Sequence, residues 1–190
     1  MRSSGVPARR RLANRRHCQG RVWKINQGKV MGCLDIVFTP TSGIIPSVQG
    51  FSVGARLGRI QIYFSDNNFK KLLVDIYWDL NEIANWFVVN NKHIQGERIP
   101  GFVEDRGSIY DSIKWVYEYF DRYSDDQLDG LFEYRRRHEF CFAVRGVQVP
   151  ELYIGIGKNG MEVSGEGEGE RYVYYVDVCF DEFIEKLINL

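Results

Sequence analysis

No stretch of this chain is apolar for long enough to cross a membrane as a helix, which takes about 18 or more residues. The N-terminus is basic but has no apolar run behind it, so no secretory signal is indicated. Cysteine is sparse. Cys18, Cys33, Cys141 and Cys179 lie far apart with no C-x-x-C pair, so neither a zinc knuckle nor a disulfide framework is indicated. Buried free thiols in a reducing cytoplasm are the expectation, and with them a cytoplasmic location. G-x-S-x-G, H-E-x-x-H and Walker sequences are all missing. His93, His138 and the cysteines form no pattern that would bring a nucleophile and a base within hydrogen-bond reach. No catalytic residue, cofactor or metal is therefore expected.

What is present suits one globular domain. The 190 residues are 44% hydrophobic, 26% charged and 14% aromatic, the last a high value. The net charge of zero hides an asymmetry. Nine of the 25 cations lie in residues 1–30, where there is no carboxylate, so the rest of the chain carries 16 cations against 25 acids, a net of −9. Such a split separates a tail from a domain. Residues 1–30 show no apolar periodicity and read as a disordered basic leader or a misassigned start, with Met31 directly before the first strand pattern. A nucleic-acid-binding arm or a transit peptide are the other readings of this segment, and nucleic acid is expected as a partner only if the arm is real. Residues 31–190 form the expected domain.

Along that domain, Cys33 to Phe38 reads as a strand, Thr39 to Gly50 as a loop, and Ile60, Ile62 and Phe64 as the inward positions of a second strand. Ser65–Asp66 is a candidate helix cap. Phe69, Leu72, Leu73, Ile76, Leu80, Ile83, Ala84 and Phe87 follow at three- and four-residue spacing, predicting a helix of about 20 residues ended by Asn90–Asn91. Ser108 is expected to cap a second helix, and Ser124 with Gln127 is a capping box for a third over about Asp125 to Arg137. Acids at its start and Arg135, Arg136 and Arg137 at its end suit the helix dipole; a phosphate-binding patch is the other reading of those arginines. Phe140 to Val144 alternates as a strand. Asn159–Gly160 signals a hairpin pairing Ile156 with Val163 and Ile154 with Gly165. Its far face carries Tyr153, Gly155, Gly157, Glu162, Ser164 and Glu166, and is expected to be polar and open. A last strand runs through Tyr172 to Phe180, and a short amphipathic helix closes the chain.

Gly155-Ile-Gly157-Lys-Asn-Gly160 matches G-x-G-x-x-G, but no helix opens after it, as a pyrophosphate site would require. Its glycines are expected to supply turn geometry and close approach. Gly165 to Glu170 alternates glycine with glutamate. A solvated loop, an acidic contact for a basic partner and a hard-cation site are its three readings.

Two stretches, IQIYFSDNNFKKLLVDIYWDLNEIANWF (Ile60 to Phe87) and VPELYIGIGKNGMEVSG (Val149 to Gly165), are similar in texture to the small bacterial immunity proteins encoded beside polymorphic toxins. The resemblance implies an inhibitor that occludes a cognate toxin, often a nuclease, without doing chemistry. A nuclease toxin would have a basic cleft, to which a −9 domain is complementary. The expectation is an α+β domain of element order β-β-α-α-α-β-β-β-β-α, with a mostly antiparallel sheet and helices packed on one face. Its contact with a basic protein partner would be Glu162, Glu166, Glu168, Glu170 and Tyr153. The alternative is a small-ligand or enzyme site on the glycine-lined sheet face.

Overall fold

The computed structural model describes residues 31–41, 55–144, 146–167, 169–176 and 180–190. The leader expected over 1–30, residues 42–50 of the expected loop, residues 51–54, Arg145, Glu168, and Asp177 to Cys179 lie outside the described residues. Among the described residues, six strands form one sheet: β1 (Met31–Pro40), β2 (Leu57–Ser65), β3 (Lys70–Asp79), β4 (Glu151–Gly157), β5 (Gly160–Gly167) and β6 (Glu170–Val176). Four α-helices accompany them: α1 (Leu80–Gly96), α2 (Ile109–Glu118), α3 (Asp125–His138) and α4 (Phe180–Asn189). No helix among the described residues is long and apolar enough to cross a membrane.

The α+β class is as expected, but the sheet is mixed. Its order is β3-β2-β1-β6-β5-β4. Two antiparallel meanders, β1–β2–β3 and β4–β5–β6, meet at a short parallel seam where Met31 pairs with Tyr175 and Gly32 with Val176. Gly32 is required there. A β-carbon on it would lie 2.6 Å from Phe64 Cζ and 2.2 Å from the Ser65 carbonyl oxygen. Without that carbon, Phe64 lies over the seam and stacks on Tyr174 of β6 at 4.5 Å between ring centroids.

The long helix expected to start after Ser65–Asp66 is a strand followed by a helix. Asp66 is a hairpin turn residue: its carboxylate accepts from the Asn68 and Phe69 N–H groups at 2.7 and 2.8 Å. A register shift at Ile62/Tyr63 leaves Leu73 and Val74 both buried on β3, ahead of buried Ile76. That irregular strand mimics helical spacing. The true cap is buried Asp79, which accepts from Asn81 N–H at 3.0 Å and from Arg56 N–H at 2.9 Å. The helix does not end at Asn90–Asn91. Asn90 is buried and donates to the Trp86 carbonyl one turn back, at 2.8 Å. The two later caps are as expected, with Ser108 on α2 and the reciprocal Ser124/Gln127 box on α3. Phe140–Ala143 is a 3₁₀ turn rather than a strand; it buries Phe140 and Ala143 three residues apart.

The β4–β5 hairpin forms, but Gly157 pairs with Gly160, so the turn residues are Lys158 and Asn159. The expected register is off by two residues. Because strand side chains alternate with period 2, both faces keep their expected residues. Leu152, Ile154 and Val163 face the main core, with α1, α4 and the inward residues of β1–β3.

The other face is not open. Tyr153 joins a second core with Ile109, Tyr110, Ile113 and Val116 of α2 and Leu131 and Tyr134 of α3. Helices therefore cover both faces of the β4–β5 half, against the expectation of one. Cys33 is disulfide-bonded, against the free-thiol expectation, while Cys141 is free. Cys18 and Cys179 lie outside the described residues.

Candidate functional site at the corner of α2 and β5

A helix leaves its first N–H groups without intrahelical partners. In α2 they are satisfied across the domain by consecutive same-face residues of β5. Ile109 N–H donates to Glu162 Oε1 at 2.7 Å, and Tyr110 N–H donates to Ser164 Oγ at 3.1 Å. Asp111 N–H donates to the cap Ser108 Oγ at 3.0 Å. One step further along β5, Glu166 accepts from the Tyr110 hydroxyl at 2.6 Å and from Lys114 Nζ at 3.1 Å. The 162/164/166 alternation therefore serves first as the receptor for α2.

The environments of these carboxyls differ. Glu162 is 0% exposed, and its Oε2 has no partner among the described residues. Desolvation pushes its carboxyl above the ordinary value, against the opposing pull of the Ile109 N–H and Ser164. Glu166 lies at the rim, where hydrogen bonds from Tyr110 and Lys114 hold it below the ordinary range. Burial and Glu166 push the Tyr110 hydroxyl up to about 12. Tyr110, Lys114, Glu151, Glu166, Gly167 and Gly169 line an open polar depression of about 240 Å³.

Of the five expected contact residues, Tyr153 and Glu162 are corrected. Tyr153 is 4% exposed and Glu162 0%, so neither can meet a partner in this fold. Glu170 is exposed and Glu166 half-buried at the depression, while Glu168 lies outside the described residues. Glu151 is exposed and sits directly across from Glu166 in the β4–β5 register. Sequence reasoning missed Glu151, Tyr110 and Lys114. Ser108 as a cap already put Tyr110 and Lys114 one turn apart on a helix face; the hairpin offset hid the Glu151–Glu166 pairing.

The glycine-lined face expected for the alternative site is filled. A β-carbon on Gly155 would lie 2.7 Å from His138 Nδ1, and one on Gly157 2.2 Å from Glu162 Oε2. The nearby titratable groups are bound internally. Buried Glu139 accepts from Arg135 at 2.7 Å, from the Tyr153 hydroxyl at 2.9 Å and from Cys141 Sγ at 3.1 Å. Burial and Glu139 push the Cys141 thiol up to about 12, so it is no thiolate nucleophile. His138 stacks on Tyr134, with Nδ1 2.9 Å from the Ile154 carbonyl oxygen and Nε2 3.4 Å from Glu97. His138 and Cys141 thus answer to different partners. The three arginines ending α3 each meet a carboxylate: Arg135 Glu139, Arg136 Glu133 and Arg137 Glu97. That fits the dipole reading of the cluster rather than an open phosphate patch.

Fold and site define an α+β protein whose interior acids hold its own helices and whose rim acids face solvent. No protein-family model, curated protein or solved structure matches the chain.

Proposed function

We propose that this chain is an immunity-type binding protein that occludes a basic partner, such as a nuclease toxin, with the acidic corner formed by Glu151, Glu166 and Glu170. One observation carries the reading. Glu151 and Glu166 are directly opposite on adjacent antiparallel strands. Like charges in that position are destabilising. Glu166 draws on Lys114, Tyr110 and, at 3.8 Å, Arg171, whereas the Glu151 side chain has no hydrogen bond or ion pair among the described residues. A surface that keeps one carboxylate without a cation of its own, directly opposite a second, at the mouth of a depression is suited to an incoming cation. The net of −9 outside the basic leader supplies long-range attraction for such a partner.

The experiment is co-purification with the product of the toxin-sized reading frame adjoining its gene. A tight complex that weakens as salt rises, and weakens further in Glu151→Lys/Glu170→Lys, supports the proposal. Absence of a complex at low salt, or one indifferent to both charge reversals, would sink it.

A further inference from the structure

The seat of α2 on β5 contains a chemical oddity. Its central group is a carboxyl with no exposure, one oxygen on a helix N–H and the other oxygen without a partner among the described residues. The groups around it are unfavourable to a second negative charge. Asp105, from the segment before α2, and Asp111, from its first turn, both oppose ionisation. The cations nearest those two aspartates are engaged with them: Lys158 with Asp105 at 2.8 Å and Arg171 with Asp111 at 2.9 Å. From α3 comes Tyr134, whose buried hydroxyl also has no partner among the described residues and which feels the charges of Glu162, Glu97 and Arg137. His138 is stacked on the Tyr134 ring. From β5 itself comes Ser164, and from β4 Gly157, whose missing β-carbon leaves the space that the carboxyl occupies. Only the Ile109 N–H, Ser164 and the positive end of the helix favour the ionised form.

We propose that the Glu162 carboxyl is a proton-dependent latch, which seats α2 firmly on β5 while neutral and loosens that seat when it ionises. A neutral acid still accepts the Ile109 N–H through one oxygen and carries no buried charge. An ionised one keeps that bond but places an unpaired charge, with one unsatisfied oxygen, between two helices and a sheet. The same helix carries Tyr110 and Lys114 into the acidic depression. A loosened α2 withdraws those two donors from Glu166 and leaves the corner more negative. This coupling to partner association rests on the function proposed above. The latch itself does not.

The test uses the full chain. Amide hydrogen exchange at Ile109 and Tyr110, corrected for intrinsic rates, is followed from about pH 4 to pH 8 in the wild type and in Glu162→Gln, a neutral isostere that keeps an acceptor for Ile109. The expected result is protection that falls with rising pH in the wild type, by about tenfold for each unit of upward pKa displacement, and stays level in the variant. A carbon-13 titration of the Glu162 carboxyl in the unmodified protein gives a second readout that needs no variant. Identical pH profiles in the two proteins, or a Glu162 carboxyl titrating in the ordinary range, would overturn the latch. A working latch with partner association unchanged across the same pH range would overturn the coupling alone.

Discussion

Phe64 lies across Gly32 so closely that a β-carbon there would come within 2.6 Å of its ring, and from that position it stacks on Tyr174 in the other half of the sheet. Among the described residues the parallel seam has two residue pairs, and the Phe64–Tyr174 stack adds a side-chain contact across it. The obstacle at Gly32 includes the Ser65 backbone, which cannot rotate away as a side chain can. Gly32→Ala is expected to destabilise the protein by about 1–3 kcal/mol, the usual cost of overpacking. Urea unfolding would measure this, and near-ultraviolet circular dichroism would report loss of the stacked aromatic pair. An unchanged midpoint would show that the junction is slack.

Tyr153 tests the reassignment of a contact residue to the interior. Its hydroxyl donates to Glu139, which also holds Arg135 and the Cys141 thiol. Tyr153→Phe removes one hydrogen bond to a charged group while keeping the ring in the second core, so a loss of about 1.5–3 kcal/mol is expected. Partner association should be unaffected at temperatures where the variant is folded. A variant of normal stability with weakened association would restore Tyr153 to the surface.

The legible parts of this fold were those specified locally. Ser108 and the Ser124/Gln127 box mark helix starts with side-chain oxygens that bond N–H groups three residues on, and both stand where expected. The faces of β4 and β5 followed from period-2 alternation even though the turn was placed one residue late. Lys70 to Asp79 was illegible because its bulge is set by pairing with β2, a long-range event that gives a strand a helical spacing. The candidate site failed for a related reason. Glu162 and Ser164 look like a solvated face until α2 is laid on them, and nothing in β5 announces that a helix 50 residues earlier will arrive with unpaired N–H groups. Glu166, half-buried at the edge of α2, and Glu170, exposed, kept the rim position expected of them.

At the rim, stability and the proposed function should oppose one another. Glu151→Lys replaces a like-charge cross-strand pair with an attractive one, and is expected to stabilise the protein by roughly 0.2–1 kcal/mol. The same substitution should weaken association with a basic partner and flatten its salt dependence. Thermal unfolding and a salt series of binding measurements, made on the same variant, separate the two effects. Weaker binding accompanied by lower stability would point to damage to the fold rather than loss of a contact.

Two carboxyls should bend the pH dependence of stability in opposite directions. Burial works against the Glu97 carboxylate, but the bidentate Arg137 and neighbouring His138 outweigh it and hold the group down to about 2, below its ordinary 4.5. Its contribution is present above the unfolded value and is lost as pH falls from 4.5 towards the folded one. Glu162 is displaced upward, so the folded state holds its proton longer than the unfolded chain does. Its contribution is complete below 4.5 and is lost as pH rises through its folded value. Urea midpoints across this range should therefore show a falling acid branch that Glu97→Gln flattens, at a cost in stability near neutrality. They should also show a decline above the carboxyl range that Glu162→Gln removes, with the variant at least as stable as the wild type at pH 7. The two substitutions act on different branches because Glu97 sits with cations at the α1–α3 end and Glu162 with acids at the start of α2. If Glu162→Gln instead flattened the acid branch and lowered stability near neutrality, its carboxyl would be ionised and stabilising in the folded protein, and the helix N–H groups would be the dominant influence on it.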